Sequence, residues 1–328
     1  MALAAFFLLS CQGFAKDFVS LQQEIASFST TIEKIELAEG RHDFALIEPL
    51  HMLGKIQFQA NLFSDAEKSI DRAIQIARFS DGLYSPVQYP LLQLAIDIEL
   101  ARQDWTKVSE KLEHYTWLIS QQYQGEGKSR IQQARWIADV RLQAYRGDSE
   151  EMRAPHLIQA TYLRETIVQF AQVMQLTADP LYGDLLFELA NAYRIEADAI
   201  RNGGSTSYHL RRVFPGLEII EEKRPAVEKR YRIGLEKLQM LQSFIAGSSA
   251  YDREAGFMVQ LYLAQWHEFF DKHHQQQAVI AKALAGYSQL ALNETEILTL
   301  LELQAGLSWE RMQLELPAAD VNLVAAGD

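Results

Sequence analysis

The stretch LGKIQFQANLFSDAEKSIDRA, residues 53–73, decides the fold of this chain. Its apolar and small residues recur at helical spacing on both sides of Phe63, an aromatic residue at the expected turn. Gly54 before the turn and Ala66 after it are small enough for two helix backbones to approach closely. The stretch therefore predicts two antiparallel helices in close contact, which is the signature of a scaffold and not of a catalytic site.

The same pattern returns further along the chain. Three pairs of matching positions share one displacement of 42 residues: Leu53 and Ala95, Phe63 and Trp105, Ala66 and Val108. A common offset at several positions is what an internal repeat requires. A long connection over 79–88 lengthens this repeat, because Gly82 can cap a helix and Pro86 resists its continuation.

Helical periodicity continues over most of the sequence and predicts about five antiparallel helix pairs. The predicted pairs are 44–60 with 64–79, 88–102 with 105–121, 128–146 with 155–175, 183–200 with 226–246, and 255–271 with 275–290. The fold class that follows is all-α, an α-α superhelix or solenoid of helical repeats. We expect Gly147-Asp148 and Pro155 to break the third pair, and a capping helix near 295–306 to close the exposed core.

The chain is predicted to contain four segments: 1–15 as a signal segment, 16–43 as an N-terminal extension, 44–292 as the helical-repeat domain and 293–328 as a C-terminal capping segment. Inside the repeat domain we expect a loop insertion over 202–225, because Gly203-Gly204 and Pro215-Gly216 break helices. With 328 residues, 48% of them hydrophobic, the chain can bury a large core. Asp and Glu number 43 against 31 Lys and Arg, with no basic run, so nucleic acid is not expected as a partner.

The N-terminus is typical of an export signal, because Met1–Leu9 is apolar and uncharged and small residues follow it. Leu8–Cys11 resembles a bacterial lipoprotein box, in which Cys11 would be lipidated as an outer-membrane anchor. Gly13–Ala15 instead resembles an ordinary signal-peptidase site, which would release a chain starting at Lys16. A cytosolic protein with an apolar N-terminal helix is the remaining alternative. Cys11 is the only cysteine, so an intramolecular disulfide is excluded.

Several of these features resemble a known family. The matching residues are Leu53-Gly54, Arg78, Gly82-Leu83-Tyr84-Ser85, Gln88, Asp104-Trp105 and Leu263-Ala264-Gln265-Trp266. On these residues the chain resembles the exported tetratricopeptide-repeat (TPR) proteins of Gram-negative gammaproteobacteria. The resemblance implies an exported, periplasmic protein, soluble or lipid-anchored, with a scaffolding role, and it names no substrate.

In such repeats the first helix of each pair lines the concave face. That placement gives a predicted partner-binding groove with these side chains: Glu48, His51, Lys55, Phe58, Gln59, Gln93, Asp97, Asp184, Asn191, Arg194, Gln265 and Glu268. Amide and charged side chains suit an extended peptide or protein tail, whose backbone needs donors and acceptors.

The segment HEFFDKHH, residues 267–274, contains the best metal-ligand candidates. His267 and Asp271 lie one helical turn apart, with His273 and His274 beyond them. A zinc-protease motif needs His at the position that Asp271 occupies, so a solvated turn is favoured over a metal site. The sequence has no GxSxG elbow, phosphate-binding glycine loop or dinucleotide fingerprint, so it predicts no catalytic residue and no cofactor.

Tyr84, Trp117 and Trp136 are candidates for stacking on a ligand. Aromatic residues at helical spacing in repeat proteins more often form the core between repeats, and that is the prediction for these three. The favoured function is a non-enzymatic protein–protein interaction scaffold of the bacterial cell envelope. A helical enzyme acting on envelope glycan and a module that binds a small ligand or metal are the alternatives.

Overall fold

The computed structural model describes residues 2–122, 127–214, 217–247 and 253–287. The chain divides into two compact units, Met1–Gly125 and Glu126–Asp328, so the predicted repeat domain is shared between them. In the described ranges, no helix combines the length and the apolar character that crossing a lipid bilayer requires.

The first unit contains α1 (Ala2–Glu39), α2 (Ile47–Gln59), α3 (Phe63–Asp81), α4 (Gln88–Arg102) and α5 (Trp105–Gln122). The first two predicted pairs, α2 with α3 and α4 with α5, are confirmed. Helix α1 runs across the boundary between the predicted signal segment and the N-terminal extension, and it packs against α2. A short 3-10 turn precedes α2, and its first residues are held by Asp43, which accepts a hydrogen bond from the amide of Ala45 at 2.8 Å.

The contact between α2 and α3 shows why small residues recur in the sequence. A Cβ atom on Gly54 would lie 2.7 Å from Cδ1 of Ile70, which is closer than carbon atoms can pack. Ala66 is completely buried at the same contact. Ser69 donates a hydrogen bond of 2.8 Å to the side-chain oxygen of Gln57, so the buried polar groups between the two helices are paired. The predicted close approach is confirmed.

The long connection between α3 and α4 is fixed by side chains. Gly82 has a φ of +90°, a conformation that side-chain-bearing residues rarely adopt. The Gln88 side chain is completely buried, where its oxygen accepts a hydrogen bond of 3.0 Å from Nε of Arg78. Its Nε2 donates to the carbonyl oxygen of Leu83 at 3.0 Å. These contacts give a structural role to residues on which the family resemblance rests.

The second unit contains α6 (Gly127–Gly147), α7 (Glu150–Val173), α8 (Pro180–Asn202), α9 (Gly204–Leu210), β1 (Arg212–Phe214), β2 (Leu217–Ile220), α10 (Lys223–Gly247), α11 (Arg253–Phe269) and α12 (His273–Tyr287). Helices α6 and α7, α8 and α10, and α11 and α12 pack as the remaining three predicted pairs. The predicted capping helix and the segment 293–328 lie outside the described residues.

The prediction for Pro155 is wrong, because α7 begins at Glu150 and continues through the proline. Proline lacks an amide hydrogen, so the helix loses one backbone hydrogen bond there. The proline itself is exposed, while Leu157 and Ala160 on the same helix are completely buried. Tertiary packing of the apolar face therefore outweighs the local loss.

The insertion 202–225, which we expected to be a loop, is mostly regular structure. It folds into the short helix α9 and an antiparallel hairpin of β1 and β2. Ser207 ties α9 back to α8 by donating a hydrogen bond of 2.9 Å to the carbonyl oxygen of Ile200, and Leu210 is buried. Strands of three and four residues are too short to show an alternating pattern, so the sequence gives no signal for them.

The second unit has its own close helix contact, between α10 and α11. Trp266 is completely buried, and its Nε1 donates to the carbonyl oxygen of Tyr231 at 3.2 Å. A Cβ atom on Gly234 would lie 2.2 Å from Cη2 of Trp266. Only glycine leaves room for the indole ring at this position.

Candidate functional site

On α2, the predicted groove positions are mostly open to solvent. Glu48, Lys55 and Gln59 are exposed, and His51 is half-buried. Burial lowers the pKa of His51, and the nearby Lys55 charge lowers it further, so the imidazole is neutral near pH 7. Phe58 is half-buried and its ring packs 5.9 Å from the ring of Phe63 within the first pair.

On α4, Gln93 and Asp97 lie one helical turn apart, and both are half-buried. The Nε2 atom of Gln93 donates a hydrogen bond of 2.9 Å to the hydroxyl of Tyr115, which is completely buried. Across the described residues Asp97 has neither a hydrogen bond nor an ion pair. Burial raises the pKa of Asp97 to about 6.

Glu99, two residues further along α4, has the opposite surroundings. Its side chain is completely buried, and its oxygens lie 3.5 Å from Arg102, 3.8 Å from Lys107 and 3.6 Å from Lys111. Glu67 on α3 binds two of the same cations, at 2.5 Å from Arg102 and 3.1 Å from Lys107. The hydrogen bond from Arg102 lowers the pKa of Glu67 to about 2, with help from Lys107. This network joins α3, α4 and α5.

In the second unit, Asp184, Asn191 and Arg194 are half-buried on α8. Arg194 donates from Nε to the side-chain oxygen of Asn191 at 3.2 Å, and its guanidinium lies 5.3 Å from the ring centre of Phe269 on α11. The structure therefore brings Asn191 and Arg194 together, with Arg194 held against α11.

An ion-pair network that the sequence did not reveal lies between α6, α7 and α8. Arg135 donates from Nε to Glu188 at 2.6 Å and lies 3.9 Å from Asp184. The buried Arg164 donates to the backbone oxygen of Glu188 at 2.9 Å and to Asp139 at 2.6 Å. Burial raises the pKa of Glu188 even though both arginines act to lower it. Pairing across three helices depends on tertiary contacts, so no spacing in the sequence signals it.

The two groove positions on α11 differ from each other. Glu268 is exposed, whereas Gln265 is half-buried. The side-chain oxygen of Gln265 is buried and receives no hydrogen bond from the described residues. A buried acceptor without a donor is unfavourable for the fold.

The metal-ligand candidates are separated by the fold. His267 is buried and its Nδ1 lies 3.0 Å from the hydroxyl of Tyr231. Asp271, His273 and His274 are exposed where α11 ends and α12 begins, and Asp271 pairs with Arg201 at 3.3 Å. Within the described ranges, no three His, Cys, Asp or Glu side chains are grouped so that they could hold a metal ion.

The prediction that Tyr84 and Trp117 belong to the core is wrong. Each is 44% exposed, and their rings lie 5.4 Å apart on the surface of the first unit. The long connection after α3 carries Tyr84 outward over α5, which is why helical spacing did not apply to it. Trp136 is half-buried.

An open depression of about 520 Å³ in the second unit is lined in part by Tyr182, Glu236 and Phe244. Its titratable groups are engaged, because the Tyr182 hydroxyl accepts a hydrogen bond from Gln172 at 2.8 Å and Glu236 pairs with Lys237 at 2.8 Å.

No protein-family model matches the chain, and no curated protein matches it. Among solved structures, it is similar to a Podosopora anserina putative kinesin light chain with nearly identical TPR-like repeats, at a TM-score of 0.50 and 13% identity, over 76% of this chain and 99% of that one. A single-residue variant of the same protein gives a TM-score of 0.47 and 13% identity, over 74% and 95% of the two chains. The first likeness shows the fold, which is a TPR-like helical repeat.

Proposed function

We propose that this protein is a non-enzymatic interaction scaffold, in which the first helices of the pairs within a unit offer a binding surface for an extended peptide or protein segment. The observation that carries the proposal is unused hydrogen-bonding capacity on those helices. On α4, Asp97 is half-buried and has no hydrogen bond or ion pair, and the side-chain oxygen of Gln93 one turn earlier accepts no hydrogen bond, among the described residues. An extended chain brings a donor and an acceptor with every residue and satisfies such groups.

Preorganised side chains support binding over catalysis. Arg135 and Arg164 fix Glu188, and Asn191 and Phe269 fix Arg194, before any ligand arrives. Side chains that are already ordered lose little entropy on binding, so a partner gains more from each contact. The polar face of α8 is therefore the part of the second unit to which we assign partner contact.

We place this scaffold in the cell envelope, in the periplasm, either soluble or anchored through a lipid on Cys11. The apolar segment Met1–Leu9 and the small residues after it support export. The mass of the N-terminal peptide from envelope fractions distinguishes the two forms. A chain starting at Lys16 supports the soluble form, lipidated Cys11 supports the anchored form, and an intact Met1 in the cytosolic fraction contradicts export.

Site-specific photo-crosslinking tests the binding surface. Lys55 and Lys68 are both exposed lysines of the first unit, on α2 and on α3. A photoreactive residue in place of Lys55 should trap a defined partner, and the same residue in place of Lys68 should not. The alanine variant of Lys55 should weaken binding of the trapped partner by about 1–2 kcal/mol without changing the fold. Equal trapping at both lysine positions would contradict the assigned surface.

A further inference from the structure

Helix α4 carries two carboxylates on different faces. Residues two apart on a helix do not face the same neighbours, so Asp97 and Glu99 point to separate surroundings. Three cations surround Glu99, on the side where α3 and α5 meet α4. On the side of Asp97 the described chain supplies none, and Lys55 on α2 forms no ion pair with it.

An unpaired carboxylate is an unfavourable group to bury. Asp97 is half-buried and lacks any hydrogen bond or ion pair in the described part of the chain. Transfer of a charged group out of water is compensated in folded proteins by an opposite charge or by hydrogen bonds. Burial alone accounts for the raised pKa of this group, about 6, and the group is still ionised near pH 7.

Gln93, one turn before Asp97, adds a second acceptor. Its Nε2 atom is used by the buried Tyr115 hydroxyl at 2.9 Å, which fixes the amide and leaves its oxygen as the group offered to a ligand. The two neighbouring positions therefore present a carboxylate and an amide oxygen, while one N–H of the Gln93 amide is held by Tyr115. A ligand that fits must bring a positive charge and several N–H donors.

We propose that Gln93 and Asp97 form a binding site for a basic side chain, arginine or lysine, of the bound peptide. The guanidinium or ammonium group pairs with the carboxylate and donates to the amide oxygen. This site rests on the proposed function, since it assigns one residue class to the peptide that the scaffold binds. One carboxylate and one amide oxygen are too few ligands for a metal ion, which favours an organic cation.

Selection from a random peptide library displayed on phage, with the full chain immobilised, tests the site. The wild-type protein should select peptides enriched in Arg or Lys at one position. The best peptide, made synthetically, should bind Asp97→Asn roughly tenfold to a hundredfold more weakly, as expected when one partner of a charge pair is removed. The control Glu110→Gln changes an exposed carboxylate on α5 and should bind as the wild type does.

A variant of the selected peptide shows whether its basic residue is the group that binds Asp97. Replacing its basic residue with glutamine should weaken binding to the wild type by a similar factor and weaken binding to Asp97→Asn much less, because only the contact with Gln93 is left to lose there. Asp97→Lys should instead select acidic peptides. If selected peptides show no basic residue, or bind Asp97→Asn as tightly as the wild type, this site is wrong while the scaffold function stands. If neither protein selects any peptide, the proposed function fails as well.

Discussion

The two faces of α4 each carry a buried or half-buried carboxylate, but the surroundings of the two carboxylates differ. Glu99 is completely buried and lies among three cations, whereas Asp97 is half-buried and has no partner in the described structure. A paired buried carboxylate links helices, while an unpaired one weakens the fold until a ligand compensates it. The contrast teaches that burial alone does not give a charged residue its role. The presence or absence of an opposite charge does.

The largest effect is expected at the paired face. Glu99→Gln keeps the size of the side chain but leaves the surrounding cations without their buried counter-charge. We expect it to lower the free energy of unfolding by about 2–4 kcal/mol, in the lower part of the range because these cations still reach solvent. Urea denaturation followed by circular dichroism measures this. An unchanged midpoint would show that the network around Glu67 holds the cations without Glu99.

Neutralising Asp97, on the unpaired face of α4, should stabilise the fold, whereas neutralising Glu99 should destabilise it. Asp97→Asn removes a charge that burial disfavours, so it should raise the free energy of unfolding by about 1–3 kcal/mol at pH 7.5. The same urea titration gives the value. Destabilisation by Asp97→Asn would mean that the carboxylate has a stabilising partner in the folded protein, and the contrast between the two faces would be lost.

The pH dependence of that difference identifies its cause. The folded-state pKa of Asp97, about 6, is above its usual value of 3.8. Below pH 4 the carboxyl group is protonated in both the folded and the unfolded chain, so it does not lower stability. As the pH rises from 4 through 6 the unfolded chain loses this proton more readily than the folded one, so the wild type loses stability. The stability gap between Asp97→Asn and the wild type should therefore be near zero at pH 4, grow between pH 4 and 6, and be constant above pH 7. Thermal melts across this range measure it. A gap that does not change with pH would assign the effect to packing instead of charge.

The smallest effect is expected for an ion pair that is not buried. Lys68 and Asp65 lie 3.0 Å apart on α3, with both side chains more than half exposed. Lys68→Ala should change the free energy of unfolding by less than about 0.5 kcal/mol, because exposed pairs are screened by water and salt. A loss as large as that of Glu99→Gln would show that ion pairing matters here regardless of burial.

The helix pairs follow from the sequence because their signals are local. Gly54 and Ala66 permit a close approach, and the side chain of Ile70 fills the space that Gly54 leaves. Spacing along each helix decides which residues meet, so the first pair could be predicted almost to its ends. Pro155 shows the limit, because the burial of Leu157 and Ala160 outweighs a local helix breaker.

The site could be predicted only in part. Helical register places Asp97 and Asn191 on first helices, but it does not say which of them lacks a partner. Whether a residue has a partner depends on side chains from other helices, as when Arg135 on α6 donates a hydrogen bond to Glu188 on α8. Tyr84 shows a related limit, since an irregular connection carries it to the surface where no helical period applies.

The position of Glu67 has a consequence for how the first unit opens. One carboxylate on α3 accepts hydrogen bonds from Arg102 at the end of α4 and from Lys107 at the start of α5, at 2.5 and 3.1 Å. In a linear array of repeats, a strong favourable interaction between adjacent repeats increases the number of helices that unfold together. We therefore expect α3, α4 and α5 to unfold as one cooperative block, so that their core amides exchange with solvent at similar rates.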